Sequence, residues 1–301
     1  MKGPSETCAL GAGKEMTAPS RWYDDWQHSG HTKLFDSRAV LNGKNLARHY
    51  ESFNDVRLLS ARLNRSRPGI LLEVGCATGE FYRYLHERWP QLRYYGIDIS
   101  QAALGRAKEK YPEGSFFISN PDAEFADTLA SIDLTAAPET IYAKDVIHHQ
   151  TDPLAFLSRL VRAGSEMLIV RTRTKDVGPT VADPELSCQY HYDGWMPYIV
   201  SNLQELIARI HAEAPRAELV IYRNHMVLGG CENRFLPKEC YLPETGTAET
   251  VIGVFRNARQ PGLVTIEDRS EPPPAYTLGH RLASLGRRLA RSIHREVARG
   301  R

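Results

Sequence analysis

The sequence predicts an α/β protein built around a mostly parallel sheet, and two observations carry that prediction. First, strand-like apolar segments alternate with helical patterns from about residue 45 to residue 256, as in βαβ units with right-handed crossovers. Second, the apolar run at 70–74 leads into a turn of small residues, and the next strand ends in Asp98. Ligands of open α/β sheets bind at the carboxyl ends of the strands, so this turn marks the expected site.

The expected helices and strands alternate regularly along the chain. A helix over 45–66 should precede the first strand, because apolar residues recur there at helical spacing. Strands are predicted at 69–74, 93–98, 115–119, 140–144, 166–172, 217–224 and 248–256, and helices at 79–88, 100–110, 152–163 and 200–213. Helices on both faces would then cover a seven-stranded sheet.

The composition of the chain is that of a soluble globular protein. Of 301 residues, 42% are hydrophobic and 25% are charged, and no run of 18 apolar residues predicts a membrane span. No apolar core of signal-peptide type is present near the first residue. The five cysteines include no C-x-x-C pair; they are Cys8, Cys76, Cys188, Cys231 and Cys240. Their scatter favours a reducing cytoplasm and disfavours a structural zinc site.

The two ends of the chain differ from its centre. Residues 1–20 lack periodicity, and we expect them to be disordered. The main domain is expected over 21–260, followed by a linker over 261–276 that contains three consecutive prolines and should be stiff. Residues 277–301 hold seven Arg and one Glu in a chain of net charge +2. Their leucines recur at helical spacing, which predicts a basic amphipathic helix.

Three roles are open to the basic helix over 277–301. It could dock on its own domain as a surface helix, or lie on an anionic membrane surface, which would place the protein at the inner face of the membrane. It could also contact the phosphates of a nucleic acid. Nucleic acid is the least favoured of the three, because no aromatic residue is interleaved among the arginines to stack on bases.

Two long segments interrupt the regular alternation of strands and helices. They span 174–199 and 226–247, and both contain aromatic and polar residues. Loops of this length in a compact domain are usually functional or disordered. We expect them to be insertions that act as lids. Arg171 and Arg173, which end the fifth strand, could orient an anionic substrate or the lid, or form a solvated strand end.

The small-residue turn has the wrong spacing for a dinucleotide site. Gly75 and Gly79 are separated by three residues, with Ala77 in the middle, whereas G-x-G-x-x-G is needed to hold a pyrophosphate at a helix N-terminus. This disfavours a nicotinamide dehydrogenase. Small residues still allow close approach of a ligand without phosphate to the backbone. Asp98 could accept hydrogen bonds from both hydroxyls of a ribose.

On these residues the chain resembles the class I S-adenosylmethionine-dependent methyltransferases. Their acid-x-Gly-x-Gly-x-Gly motif is matched by Glu73, Gly75 and Gly79, with Ala77 in place of the middle glycine. The resemblance implies a Rossmann-like fold with an antiparallel last strand at 248–256, and S-adenosylmethionine as cofactor. The cofactor-binding residues that it implies are Glu73, Gly75, Cys76, Ala77, Gly79, Asp98, Ile99, Lys144 and Asp145, with Asn120 or Asp122 at the adenine. Simple turn chemistry is the alternative for Asn120 and Asp122.

Histidines are the candidate general bases of such an enzyme. His148 and His149 follow the fourth strand, where similar family members often carry Val-Leu-His-His; either could act as a base or bond backbone near the turn. His191 and His225 are further candidates. Asp183, His191 and Asp193 match no metal motif, so no metal is expected.

The expected function is methyl transfer to a hydroxyl of a sugar, a glycan or another small polar metabolite. Residues 235–246 look like those of methyltransferases found with surface-polysaccharide or lipid-linked glycan assembly. The principal alternative is RNA methylation with the basic helix as the phosphate-binding arm. A non-catalytic regulator or scaffold that binds S-adenosylmethionine is a further alternative.

Overall fold

The computed structural model describes residues 43–65, 69–120, 125–132, 134, 136–191, 194–231, 233–257 and 260–271. The expected disordered segment 1–20, residues 272–276 of the expected linker and the basic helix over 277–301 lie outside the described residues. Asp122 and Asp193 lie outside them as well.

A mixed sheet forms the centre of the fold, and nine strands belong to it within the described residues. Its order is β12-β9-β11-β5-β4-β1-β2-β3, with the short strand β8 paired to β5. These strands are β1 Ile70–Val74, β2 Arg93–Asp98, β3 Ser115–Ile118, β4 Thr140–Lys144, β5 Met167–Lys175, β8 Ser201–Asn202, β9 Glu218–His225, β11 Ala248–Phe255 and β12 Val264–Asp268. Only β11 runs antiparallel to its neighbours in this sheet, β5 and β9, as the resemblance implied.

Helices cover both faces of the sheet. They are α1 Gly43–Tyr50, α2 Asn54–Leu63, α3 Glu80–Arg88, α4 Gln101–Lys110, α5 Phe125–Ser131, α6 Pro153–Arg162 and α7 Leu203–Glu213. Alternate residues of β1 point to opposite faces, so Leu71 packs in the core with α1 to α4, and Leu72 packs in the core with α6 and α7. Among the described helices, none has the length and apolarity that crossing a bilayer requires.

The expected single helix over 45–66 is two helices, so that prediction was wrong. Phe53 between them is extended, with φ −89° and ψ 140°. Its ring lies under two cations, 3.6 Å from Lys144 Nζ and 5.0 Å from Arg171 Cζ, measured to the ring centroid. Cation–π attraction at a partly buried site favours this position of the ring. The contact turns the chain out of the helix, which periodicity alone does not reveal.

The expected linker over 261–276 was also wrong in its first half, because β12 pairs in parallel with β9. Beyond β12, Glu271 turns back into the protein. Its Oε1 accepts a hydrogen bond of 2.7 Å from the Asn54 N–H at the start of α2, and its carboxylate lies 2.9 Å from Arg171 Nη1. An anion at a helix N-terminus and beside a guanidinium is stabilised, so this segment belongs to the domain.

The two insertions pair with each other to form a second, three-stranded antiparallel sheet. Its strands are β6 Cys188–His191 and β7 Gly194–Pro197 from the first insertion, and β10 Arg234–Phe235 from the second. Tyr198, Val200, Leu228, Leu236 and Cys240 form a small apolar core with it. The insertions therefore act as one structural unit.

Candidate functional site

A cleft of about 330 Å³ lies at the carboxyl ends of β1, β2 and β4, where the turn predicted it. The turn itself has left-handed backbone at three positions, with φ 80° at Gly75, 48° at Ala77 and 75° at Gly79. A Cβ on Gly75 would lie 2.4 Å from Val146 Cγ2. Glycine is needed there both for the backbone angle and for the contact. We call residues 73–79 with Asp98 and Ile99 the floor of the cleft.

Asp98 fixes the shape of the floor. Its two carboxylate oxygens accept 2.8 Å hydrogen bonds from the backbone N–H groups of Ala77 and Ser100. Burial nevertheless raises the pKa of Asp98, and these backbone bonds offset part of that rise. Each carboxylate oxygen can accept more than one hydrogen bond. Asp98 can therefore hold the turn and still receive ribose hydroxyls, a second role that the sequence analysis did not foresee.

Glu73 lies at the inner end of the floor and is almost fully buried. Its carboxyl group accepts a hydrogen bond from the Tyr94 hydroxyl. Burial raises the pKa of Glu73 to about 8, against the opposing effects of Tyr94 and Lys144. This side chain is therefore mostly protonated at neutral pH. It can present both a donor and an acceptor to the polar end of a ligand.

The residues at the helix end of the floor suit a ligand without phosphate. Glu80 begins α3, lines the cleft and is buried. Its carboxylate lies 2.8 Å from Lys110 Nζ and accepts a 3.0 Å hydrogen bond from the Tyr111 hydroxyl. A carboxylate at this position opposes the binding of a pyrophosphate to the helix N-terminus. The small-residue turn, Asp98 and Glu80 together fit an adenosine-containing ligand such as S-adenosylmethionine.

The end of β4 provides the wall between the floor and the insertions. Lys144 and Asp145 both line the cleft. Asp145 has φ 58°, a strained angle for a residue other than glycine. Arg173 Nη1 lies 2.9 Å from its Oδ1. Burial alone would raise the pKa of Asp145, but Arg173 and Arg171 hold it well below its ordinary value.

His148 and His149 form a turn of 3₁₀ helix after β4, and both line the cleft. The His149 Nδ1 lies 2.7 Å from the Pro197 carbonyl oxygen, so this ring anchors β7. His148 is buried, and its Nδ1 has no hydrogen-bond partner within the described residues. Burial, with His149 and Arg173 nearby, lowers the pKa of His148 well below its ordinary value. His148 is therefore neutral at physiological pH.

Side chains from both insertions close the far side of the cleft. Gln189 and Tyr198 come from the first insertion, and Arg234 comes from the second. Arg234 Nε donates a 2.9 Å hydrogen bond to Gln189 Oε1, and its guanidinium carbon lies 4.4 Å from the centroid of the Tyr198 ring. The Tyr198 hydroxyl accepts a 3.0 Å hydrogen bond from Arg173 Nε. We call Gln189, Tyr198 and Arg234, with the sheet β6-β7-β10, the roof.

The family comparison bears on the segment that builds the floor. A family model described as "Methyltransferase domain" matches residues 72–164, which contain the turn, Asp98, Asp145 and both histidines. The sheet order, with β11 antiparallel between β5 and β9, is that expected of the class I fold. Residues 72–164 therefore carry a methyltransferase domain, in a sheet with the order of the class I fold.

Curated relatives of this methyltransferase domain are trans-aconitate 2-methyltransferases. The protein of Acidovorax sp. (strain JS42) is 30% identical over 104 residues, which cover 35% of this chain and 37% of the relative. That of Rhodopseudomonas palustris (strain HaA2) is 28% identical over 135 residues, covering 43% and 50%. The chain therefore spans half or less of the length of these two relatives.

Solved structures with a similar fold include methyltransferases crystallised with cofactor or product. Magnesium protoporphyrin IX methyltransferase from Synechocystis PCC 6803 with bound S-adenosylmethionine has a TM-score of 0.47 and 14% identity, covering 80% of this chain and 100% of that one. An O-methyltransferase of Brevibacillus brevis in complex with S-adenosylhomocysteine has a TM-score of 0.46 and 12% identity, covering 80% of each chain.

The structure brings most of the predicted site residues of the methyltransferase domain to one cleft. Those that line it are Glu73, Gly75, Cys76, Ala77, Asp98, Ile99, Asn120, Lys144, Asp145, His148 and His149. Gly79 ends the turn, but does not line the cleft. His225 lies outside it as well, with Nε2 3.0 Å from Asp268 Oδ1. His191 belongs to β6, and its side chain is outside the described positions.

The structure gives Arg171 and Asp183 contacts outside the cleft. Arg171 does not face the cleft and instead lies within 3.1 Å of Asp55, Glu249 and Glu271. Asp183 Oδ1 accepts a hydrogen bond from the Glu185 N–H in a turn. The described residues contain no group of three or more His, Cys, Asp or Glu side chains placed to hold a metal. Gln189 and Arg234 were not predicted as site residues, since the pairing of the insertions that places them has no local signal.

Proposed function

We propose that this protein is an S-adenosylmethionine-dependent methyltransferase that acts on a small polar molecule bound between the floor and the roof. The observation that carries the proposal is the turn at Gly75–Gly79, bonded to Asp98 and lying inside the segment that the methyltransferase family model matches. A bound S-adenosylmethionine would supply an activated methyl group. The role of the protein is then to hold donor and acceptor in line and to exclude water.

The floor residues would position the cofactor. Asp98 would accept hydrogen bonds from the ribose hydroxyls, and the backbone at Gly75 and Ala77 would allow close approach. Glu73, buried and largely protonated, would meet the amino-acid end. The roof covers the opposite side, so the acceptor would enter next to Tyr198, His148 and His149.

A hydroxyl of a sugar or glycan is one acceptor that we propose, in keeping with surface-polysaccharide biosynthesis. Such an acceptor must lose a proton as the methyl group is transferred. His148 is the base that we propose, because its neutral imidazole lines the cleft. His149 also lines the cleft, and its Nδ1 donates to the Pro197 carbonyl oxygen. His148→Gln should then lower the rate of transfer and leave the affinity for S-adenosylmethionine unchanged.

A carboxylate is the second acceptor group that we propose. The curated relatives are named for methyl transfer to trans-aconitate, and Arg234 of the roof and Arg173 of β5 both line the cleft. A carboxylate at neutral pH is already ionised and needs no base. His148→Gln would leave the rate of this reaction nearly unchanged, which separates it from hydroxyl methylation.

Calorimetric titration with S-adenosylmethionine, S-adenosylhomocysteine and NAD tests the cofactor assignment. We expect both sulfur ligands to bind and NAD not to bind. Absence of binding by both sulfur ligands to folded protein would refute the proposal. Release of S-adenosylhomocysteine should then be measured with nucleotide sugars, glycans, carboxylic acids and RNA. Turnover on RNA that weakens steeply with salt would favour the RNA alternative, and binding without turnover on any acceptor would favour a non-catalytic role.

A further inference from the structure

The roof and the floor of the cleft differ in charge. The carboxyl group of Asp98 lies in the floor, where Glu73 is largely protonated, and Lys110 neutralises the adjoining Glu80. On the other side, the carboxylate that lines the cleft is Asp145, and Arg171 and Arg173 neutralise it. Arg234 adds a positive charge there, and no carboxylate partner for it exists within the described part of the chain. A molecule bound under the roof therefore meets a cation whose partners among the described residues are all neutral.

Arg234 is held in place by neutral groups. Its Nε donates to Gln189 Oε1 at 2.9 Å, and its Nη1 lies 3.4 Å from the Leu228 carbonyl oxygen. The Tyr198 ring supports the plane of the guanidinium at 4.4 Å. Its Nη2 makes no hydrogen bond within the described residues. A half-buried charge without a counter-charge is unfavourable, and a bound anion would relieve that cost.

Tyr198 supplies a second donor at the same place. Its hydroxyl accepts a hydrogen bond from Arg173 Nε at 3.0 Å, while Arg173 is itself held by Asp145 and Glu249 at 2.9 Å each. The hydroxyl oxygen is thus occupied as an acceptor, and its own hydrogen is left to be donated. No acceptor for that hydrogen is present in the described ranges. Arg173 is therefore a positioning residue for Tyr198.

We propose that the acceptor molecule carries an anionic group, a carboxylate or a phosphate, which Arg234 and the Tyr198 hydroxyl bind under the roof. This inference rests on the proposed function and adds to it the charge of the acceptor and the residues that select it. The two donors come from different insertions, so the anion would also tie the insertions together over the cofactor. A guanidinium beside a hydroxyl suits both carboxylate and phosphate oxygens.

Calorimetry on the full chain saturated with S-adenosylhomocysteine tests this inference. The probes are succinate, citrate, inorganic phosphate and glucose 6-phosphate, with glucose as the neutral comparison. We expect at least one anion to bind and glucose not to bind at the same concentration. Binding by succinate or citrate would identify a carboxylate as the recognised group, and binding by the phosphate probes would identify a phosphate.

Variants assign that binding to the roof. Arg234→Gln should weaken the binding of the anion at least tenfold, and Arg234→Lys, which keeps the charge but loses the planar fork, should weaken it less. Tyr198→Phe should weaken it several-fold by removing one donor. Arg162→Gln is the matched control, because Arg162 is exposed on α6 and paired with Glu213 away from the cleft; its affinity should equal that of the wild type.

The outcomes separate this inference from the proposed function. If the wild type does not bind S-adenosylhomocysteine, both fail. If it binds that ligand but none of the four anions, or if Arg234→Gln and Tyr198→Phe bind the anion as the wild type does, only the inference fails. Unchanged affinity of a variant for S-adenosylhomocysteine shows that its floor is intact. If Arg234→Gln no longer binds S-adenosylhomocysteine, the affinity of Tyr198→Phe for the anion tests the inference instead.

Discussion

The floor and the roof of the cleft are built in different ways. The floor consists mainly of backbone, shaped by left-handed residues at Gly75, Ala77 and Gly79 and bonded to one carboxylate. The roof consists of side chains, with Arg234, Gln189 and Tyr198 brought together from two insertions. A backbone surface recognises shape and tolerates side-chain change, whereas a side-chain surface recognises charge.

From this difference we infer that the roof determines which substrate is bound. A cofactor common to many enzymes can be bound by a conserved backbone geometry, since its contacts need only small residues and one acid. An acceptor that differs between enzymes needs side chains that can change without disturbing that geometry. The insertions supply them, supported by their own small core of Tyr198, Val200, Leu228, Leu236 and Cys240.

The largest expected effect is a loss of stability when Arg171 on β5 is replaced. Arg171 on β5 is almost fully buried among carboxylates of Asp55, Glu249 and Glu271. Arg171→Met removes the guanidinium shared by these three carboxylates and should lower the free energy of unfolding by about 3–5 kcal/mol. Urea unfolding measures this loss, and Arg162→Met is the control because Arg162 is exposed. A loss below about 1 kcal/mol would show that the carboxylates are not held by Arg171.

Glu73 should make the stability of the floor depend on pH. Its pKa is raised from 4.5 to about 8, so the folded state binds this proton more tightly than the unfolded state. Protonated Glu73 therefore adds to the free energy of unfolding below pH 4.5. This contribution, up to about 4 kcal/mol, is lost as the pH rises towards 8. Glu73→Gln should remove this slope. Urea unfolding at pH 5, 6.5 and 8 compares the two proteins; equal slopes would contradict the raised pKa.

Asp98→Ala should weaken the binding of S-adenosylmethionine by about 1–3 kcal/mol, because hydrogen bonds to a charged group are lost and the Ala77 N–H loses its acceptor. Calorimetric titration gives the affinity directly. Asp268→Ala is the control, since that carboxylate is exposed and bonded to His225 outside the cleft. Unchanged affinity in Asp98→Ala would remove Asp98 from the cofactor site.

The smallest expected effect concerns the joint between the insertions. The Trp195 ring lies 5.2 Å from that of Phe235 and 5.3 Å from that of Tyr190, centroid to centroid. Each such pair contributes about 0.5–1.5 kcal/mol to stability. Because both partner rings belong to the insertions, Trp195→Ala should destabilise the roof and leave the floor unchanged. Hydrogen exchange should become faster in β6 and β7 and stay unchanged in β1. Faster exchange in β1 as well would show that roof and floor open together.

The floor was largely predictable from the sequence because its signals are local. The bounds of β1, β2 and β4 agree with the sequence predictions to within one residue, since each is a short apolar run followed by turn residues. Asp98, Asp145 and both histidines follow from their position after a strand. The second role of Asp98, which bonds the turn that it faces, depends on contact between two strand ends and has no sequence signal.

The roof and the polar end of β5 were not predictable for the same physical reason. β5 extends to Lys175, beyond the expected end at 172, because β11 and β8 pair with its last residues. Asp55 and Glu249, which bind Arg171, are far from it in sequence. The pairing of Gln189 with Arg234 joins residues 45 positions apart. Such contacts follow from the assembled fold and not from periodicity.

The contacts of Glu271 set the length of chain needed for a complete folding unit. The antiparallel strand that completes the expected class I sheet, β11, ends at Phe255, and a protein shortened there would match the family pattern in full. It would nevertheless lose the edge strand β12, the acceptor for the Asn54 N–H and one of the carboxylates that neutralise Arg171. Truncation for expression or crystallisation should therefore keep every residue through 271.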